Sequence, residues 1–168
     1  MIGSKISGIE YFLPKKTENK KTLKKDNPKL NVDGVFNKTG INKRYISSTK
    51  EDVIDLAEKS VKKLLKKFPN TKIDFLILVT QTSPYRIPTA ACILQDKLKL
   101  GKELIAFDVN LGCSGFIYAL NIASALIKSK EAKNGIIVCA DTYTKIISKT
   151  NIQCRPIFSD AAAATMIS

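Results

Sequence analysis

The sequence predicts an α/β domain: a mixed, mostly parallel five-stranded sheet with helices on both faces. Three observations carry that expectation. Short apolar, β-rich runs such as FLILV (Phe75 to Val79) recur along the chain. Stretches with apolar residues at helical spacing separate them. Proline or glycine stands at the joints, as in Pro14, Pro69 and the LGCSG turn at Leu111 to Gly115. The 168 residues fit one domain with a sizeable core, or half of a larger one, and 1–168 is read as a single unit.

Taken in order, KISGIEYFLP (Lys5 to Pro14) reads as a strand closed by its proline. Lys15 to Lys38 is polar and lysine-rich, holds Pro28 and Gly34, and shows no core face; it is expected to be a long loop with at most a short helix. A helix follows, with Ser48 or Thr49 as its cap and Asp52 in its first turn. Val53, Leu56, Ala57, Val61, Leu64, Leu65 and Phe68 form its apolar stripe. Its last turns carry lysines that suit the negative end of the helix dipole, and Pro69 ends it. Ile73 to Gln81 is apolar enough to be a parallel strand buried on both faces. After the TSPYRIP loop, Pro88 is expected to open a helix over TAACILQDKLKL. ELIAFDVN reads as a second buried strand. GFIYALNIASALIKS is too apolar for an ordinary surface helix and is expected in a central layer or at an interface. Asn134 to Asp141 reads as a third buried strand, YTKIISKTNIQCR as an irregular connection, and PIFSDAAAATMIS as a turn and a final strand.

Composition narrows the function classes. No apolar run approaches the roughly 18 residues of a membrane span, and the N-terminus lacks a signal-peptide core, so a cytoplasmic protein is expected. Four cysteines without CxxC spacing, and no histidine, make no metal site and no disulfide framework. Cys92 and Cys139 lie in apolar stretches and read as small buried hydrophobes. The formal charge is +13, yet only Arg44, Arg86 and Arg155 are arginines. Specific phosphate recognition leans on arginine forks, and no aromatics interleave with the lysines, so no nucleic-acid partner is expected. The lysines read as solvated faces or as a surface for an acidic protein partner.

Cys113 is the candidate for chemistry. The run DVNLGCSGF (Asp108 to Phe116) takes an apolar strand through a tight turn directly into an apolar helix. A thiol there stands clear of the sheet, and a helix start favours its thiolate. Backbone N–H groups of the first turn can hold an oxyanion, and Gly112 and Gly115 permit the tight geometry. The logic is that of a nucleophile elbow with cysteine in the serine position. A structural thiol is the alternative reading.

The segment FDVNLGCSGFIYALNIASALIKS resembles the active-cysteine segment of β-ketoacyl-acyl-carrier-protein synthase III, in the thiolase-like superfamily. GIEYFLP, TGINKRYI (Thr39 to Ile46), RIPTAACILQ (Arg86 to Gln95) and IFSDAAAATMI resemble four further segments of that family, in order, so the likeness spans essentially the whole chain. It implies a thiolase-like half-domain: in the family two such α/β halves form five layers, and the enzyme is a homodimer. It implies that Cys113 takes an acyl group from acyl-CoA or acyl carrier protein, with its own N–H in the oxyanion hole and Gly112 and Ser114 beside the substrate. Malonyl-carrier protein then decarboxylates and attacks that thioester. No cofactor is implied beyond the thioester substrates; acyl carrier protein is the implied partner. The family's catalytic His and Asn lie in its C-terminal half, so the chain is expected to be an N-terminal half that does not complete a condensation alone.

Several positions depart from the family's pattern. Gly34 stands for an adenine-stacking Trp, Lys38 for the Arg before TGI, and Ile152 for a CoA-contacting Arg. These depart from standard acetyl-CoA priming and point either to a donor carried on acyl carrier protein or to a route that serves a specialised product rather than ordinary fatty acid biosynthesis. Ile87 stands for a Phe that reaches the partner subunit's acyl pocket, which favours a longer or branched acyl group. Ser159 and Ala161 replace glycines around Asp160. Two other functions stay open: acyl transfer to an alcohol or amine, and a non-catalytic half-domain for dimerisation or carrier binding.

Overall fold

Phe75–Val79 is apolar at every position, and every position is buried, as a central strand covered on both faces requires. In the computed structural model, which describes residues 3–168, the chain runs β1 (Ile6–Phe12), β2 (Lys16–Asn19), α1 (Lys20–Asp26), α2 (Val32–Thr39), β3 (Lys43–Ile46), α3 (Val53–Lys67), β4 (Phe75–Val79), α4 (Ala90–Lys97), β5 (Ile105–Val109), α5 (Gly115–Lys128), β6 (Gly135–Asp141) and β7 (Ala161–Ile167). The main sheet has the order β1-β7-β6-β4-β5. β4 pairs parallel with β5 and β6, while β7 runs antiparallel between β6 and β1. Four of the five strands therefore point one way, and the expected mixed sheet with helices on both faces is what forms.

Strand alternation distributes the core. Leu76 and Leu78 face α3 and α4, joining Leu56, Val61, Leu64 and Leu94. Phe75, Ile77 and Val79 face α5, joining Ala119, Ala123 and Ile127. Each fully buried leucine or isoleucine contributes about 1.5–3 kcal/mol by leaving water. On its far side α5 shows Ile117 and Tyr118 to solvent, at 64% and 57% exposure. That face is what made the helix look too apolar for a surface.

The structure corrects five expectations. Lys15 to Lys38 is not a loop. It holds β2, α1 and α2, with a small core of Leu23, Val32 and Phe36. β2 pairs antiparallel with β3 in a separate two-stranded sheet. Its two helices start at side-chain caps from Asn19 and Asn31. Asp52 is the cap of α3 rather than part of its first turn: it accepts from Ile54 and Asp55, and Asp55 answers by accepting from the Asp52 N–H. α4 starts at Ala90, after Pro88, and its cap comes from another element: the Asp108 carboxylate in β5 accepts from the Ala90 and Ala91 N–H groups at 2.8 and 2.7 Å. β5 is an edge strand with no buried position, not a second buried one. Cys92 is exposed on α4, and Cys139 is only half-buried.

The arginines explain themselves in this frame. Arg44 and Arg155 are buried and bound to carboxylates, so lysine makes up nearly all the exposed positive charge. Arg44 pairs with Glu18 and donates to the Phe158 carbonyl at 2.7 Å. Arg155 donates to Asp26 at 2.6 Å, to Glu18 at 3.2 Å and to the Lys149 carbonyl at 2.7 Å. This knot fastens β2, β3 and α1 to the connection between β6 and β7. Burial pushes the Glu18 carboxyl up, but the hydrogen bonds from Arg155 and Arg44 outweigh it and hold the group below its ordinary 4.5. A carboxyl lowered in the folded state stabilises the fold above its unfolded value and loses that contribution as pH falls through the folded value. Glu18→Gln is therefore expected to lower stability at neutral pH and to flatten the decline below pH 4.5. Urea midpoints followed from neutral pH into acid check this, and an unchanged acid limb would refute it.

No helix among the described residues is long and apolar enough to cross a membrane.

Candidate functional site

Three parallel strands, β4, β5 and β6, end at the same edge of the sheet, where open α/β sheets place their ligand crevices. The segments that follow them build one cleft of about 430 Å3. Gln81 follows β4, Gly112 and Cys113 follow β5, and Asp141 and Tyr143 end and follow β6. Phe158 and Ser159, ahead of β7, close the side.

Cys113 is exposed in this cleft, so it is not the buried structural thiol of the alternative reading. Its turn is built from the neighbouring residues. The Gly115 N–H donates to the Gly112 carbonyl at 2.9 Å, and α5 begins at once. Gly115 is buried against Val79 so closely that a Cβ would collide with the valine side chain. Only glycine lets the first turn of α5 press onto the end of β4 and carry Cys113 over the sheet edge. Ser114 caps α5 without a side-chain hydrogen bond. Among the described residues, neither the Cys113 nor the Ser114 N–H has a protein acceptor, so two donors at a helix start stand beside the sulfur.

Asp141 organises the opposite wall. Its Oδ1 accepts from Thr80 Oγ1 at 3.1 Å, the Gln81 N–H at 2.8 Å and Thr82 Oγ1 at 2.9 Å. The Thr142 N–H donates to Thr82 Oγ1 at 2.9 Å. The loops after β4 and β6 are thereby latched together. Tyr143 donates to Gln81 Oε1 and packs on Phe158 with ring centroids 4.7 Å apart. Burial, then the charge of Asp141 and that of Cys113, raise the Tyr143 hydroxyl, which keeps it a donor. Cys139, on the cleft floor, is pushed up to about 11 by burial and by Asp141, so it stays a thiol near neutral pH.

Of the residues expected to contact substrate, Cys113 and Gly112 line the cleft; Ser114, Lys38 and Ile87 do not. Lys38 is exposed in the last turn of α2, and Ile87 is 90% exposed in the loop before α4. Ser159 puts its hydroxyl to use where the family pattern has glycine: it accepts from the Tyr45 N–H at 2.7 Å and donates to the Tyr45 carbonyl at 3.1 Å. Sequence reasoning missed Gln81, Tyr143 and Phe158. The signal that could have found the first two was their place just beyond the ends of parallel strands.

Each of the three comparisons with known proteins finds 3-oxoacyl-[acyl-carrier-protein] synthases III. Residues 107–168, which include Cys113, match the model of 3-oxoacyl-[acyl-carrier-protein (ACP)] synthase III. The β-ketoacyl-[acyl-carrier-protein] synthase III of Clostridium perfringens is 37% identical over 169 aligned residues, covering 99% of this chain and 51% of that protein. A 2.1 Å crystal structure of a 3-oxoacyl-(acyl-carrier-protein) synthase III superposes with a TM-score of 0.93 at 34% identity, over 98% of this chain and 50% of the other. The 3-oxoacyl-(acyl-carrier protein) synthase of Burkholderia xenovorans gives 0.94 at 32%, over 99% and 48%. The chain thus spans about half the length of the relatives it matches.

Proposed function

The chain belongs to the 3-oxoacyl-[acyl-carrier-protein] synthase III family, and on that premise we propose that Cys113 is the acyl acceptor of a condensing enzyme of fatty acid or related acyl biosynthesis. The observation that carries this reading is the exposed thiol held at the start of α5 beside two unpaired backbone donors. The Cys113 thiolate attacks the carbonyl carbon of an acyl thioester. The tetrahedral oxyanion is held by backbone N–H groups at the turn. The carbon–sulfur bond to the donor then breaks, and the donor thiolate leaves and takes a proton. Splitting the transfer in this way leaves an acyl-enzyme for the second step. In that step the carbanion from malonyl-carrier protein attacks the acyl carbon and Cys113 leaves. By family likeness the His and Asn for it belong to the other half, and the 168 residues hold no histidine.

The donor we favour is an acyl carrier protein rather than a free nucleotide thioester, because Gly34, Lys38 and Ile152 offer neither an aromatic stack nor an arginine fork. The exposed lysines suit an acidic carrier. A homodimer fits the same reading, supported by the open Ile117–Tyr118 face of α5.

Incubation with acyl-CoA and with acyl-carrier protein, followed by mass spectrometry of the Cys113 peptide, tests the proposal. A covalent acyl adduct is expected. An unmodified Cys113 with every thioester, on folded protein, would sink it. Carrier binding is separately expected to weaken steeply as salt rises past about 0.1 M, where the screening length is roughly 10 Å. Salt-independent affinity would remove the lysines from the recognition.

A further inference from the structure

Six of the ten residues that line the Cys113 cleft are small: Gly112, Cys113, Cys139, Ala140, Ser159 and Ala161. The bulk comes from Gln81, Tyr143 and Phe158. Two of these are joined. The Tyr143 hydroxyl donates to Gln81 Oε1, which links the loop after β4 to the turn after β6. Both ends are fixed. The Gln81 N–H is held by Asp141, and the Tyr143 ring rests on Phe158. The bar also lies against the nucleophile's own turn, since a Cβ on Gly112 would stand 2.8 Å from Gln81 Oε1.

We propose that the Gln81–Tyr143 pair is a crossbar that sets the length of acyl group Cys113 accepts, favouring short chains. The inference rests on Cys113 being the acyl acceptor. An acyl chain on the sulfur enters a cleft whose largest side chains are this bar and the Phe158 ring on which it rests. Tyr143 cannot swing aside without giving up both its hydrogen bond and its packing on Phe158. The expectation from Ile87 of a longer or branched acyl group concerns a partner subunit's pocket; within this cleft, which Ile87 does not line, the bar points to a short chain.

The test follows the rates at which acetyl, butyryl, hexanoyl and octanoyl N-acetylcysteamine thioesters acylate Cys113, read on the Cys113 peptide. The octanoyl-to-acetyl ratio is expected to rise about tenfold or more in Tyr143→Ala and in Gln81→Ala, with a smaller rise in Tyr143→Phe, which keeps the ring against Phe158. Gln81 is exposed, so its replacement leaves the core untouched. Unchanged ratios in both alanine variants, with acetyl transfer intact, overturn the crossbar while leaving the role of Cys113 standing. Should no thioester acylate the unaltered chain, the acyl-acceptor reading fails, and N-methyl and N-octyl maleimides then decide the crossbar. An octyl-to-methyl alkylation ratio that rises in Tyr143→Ala supports it, and one that does not overturns it.

Discussion

Cys113→Ala is expected to abolish thioester-dependent acylation of this chain. The three other cysteines do not substitute for it. Cys139 is half-buried and its thiol is held up to about 11. Cys154 is half-buried in the connection before β7, outside the cleft. Cys92 is exposed in the first turn of α4, but it lies outside the cleft and its own N–H is spent on the Thr89 carbonyl at 3.1 Å. Any adduct it forms should follow general thiol reactivity, with no dependence on the Cys113 turn. Cys113→Ser sharpens the point. A serine in the same turn has the same backbone donors, but it must lose a far more tightly held proton. General-base help is worth about 10²–10⁴-fold. The one carboxylate lining the cleft, Asp141, already accepts from Thr80, Gln81 and Thr82 through Oδ1. Acylation of the serine variant should therefore fall by about 10²-fold or more. Peptide mapping after timed exposure to acyl thioester reads both variants. An undiminished adduct in Cys113→Ala would place the chemistry elsewhere.

What could be read before the structure was whatever local pattern decides. The central strand is apolar throughout because both faces are covered, and α3 announces itself by seven apolar residues on one stripe. The turn around Cys113 was legible because glycines bracket it between an apolar strand and an apolar helix. Features made by distant partners were not legible. Lys15 to Lys38 looked like a loop because α1 and α2 each span only 7 or 8 residues and share a core of three buried side chains. Their few apolar positions find one another only after β2 pairs with β3. The cap of α4 was invisible because it is supplied by Asp108, 18 residues further on. β5 looked buried because its sequence is apolar, and nothing in that sequence says which strand ends on the sheet edge. In the cleft, Gln81 and Tyr143 are 62 residues apart, and only the parallel pairing of β4 with β6 brings them together.

Asp160 ties these distant parts together, and its loss is expected to be the most damaging single change to stability. It is fully buried and accepts four hydrogen bonds. Oδ2 takes the Ser47 N–H and hydroxyl, both at 2.7 Å, and the Thr144 hydroxyl at 2.6 Å; Oδ1 takes the Thr144 N–H at 3.0 Å. Its own N–H donates to the Tyr45 carbonyl at 2.8 Å. Asp160→Ala leaves two backbone N–H groups and two hydroxyls without that acceptor and should cost about 3–5 kcal/mol. Asp160→Asn keeps the shape but presents an N–H to one of the donors. The hydroxyls can turn to accept, the backbone cannot, so a loss of about 1–3 kcal/mol is expected. Urea unfolding with an unchanged denaturant slope measures both. The damage should extend to the cleft, because Thr144 follows Tyr143 and Asp160 follows Phe158 and Ser159 in the chain. Loosening Asp160 frees both bulky posts of the cleft at once. Acylation of the Asn variant, assayed where it is fully folded, should therefore become less selective for short chains. A midpoint in Asp160→Ala equal to that of the unaltered protein would show that Asp160 does not hold the end of β3 to the connection after β6.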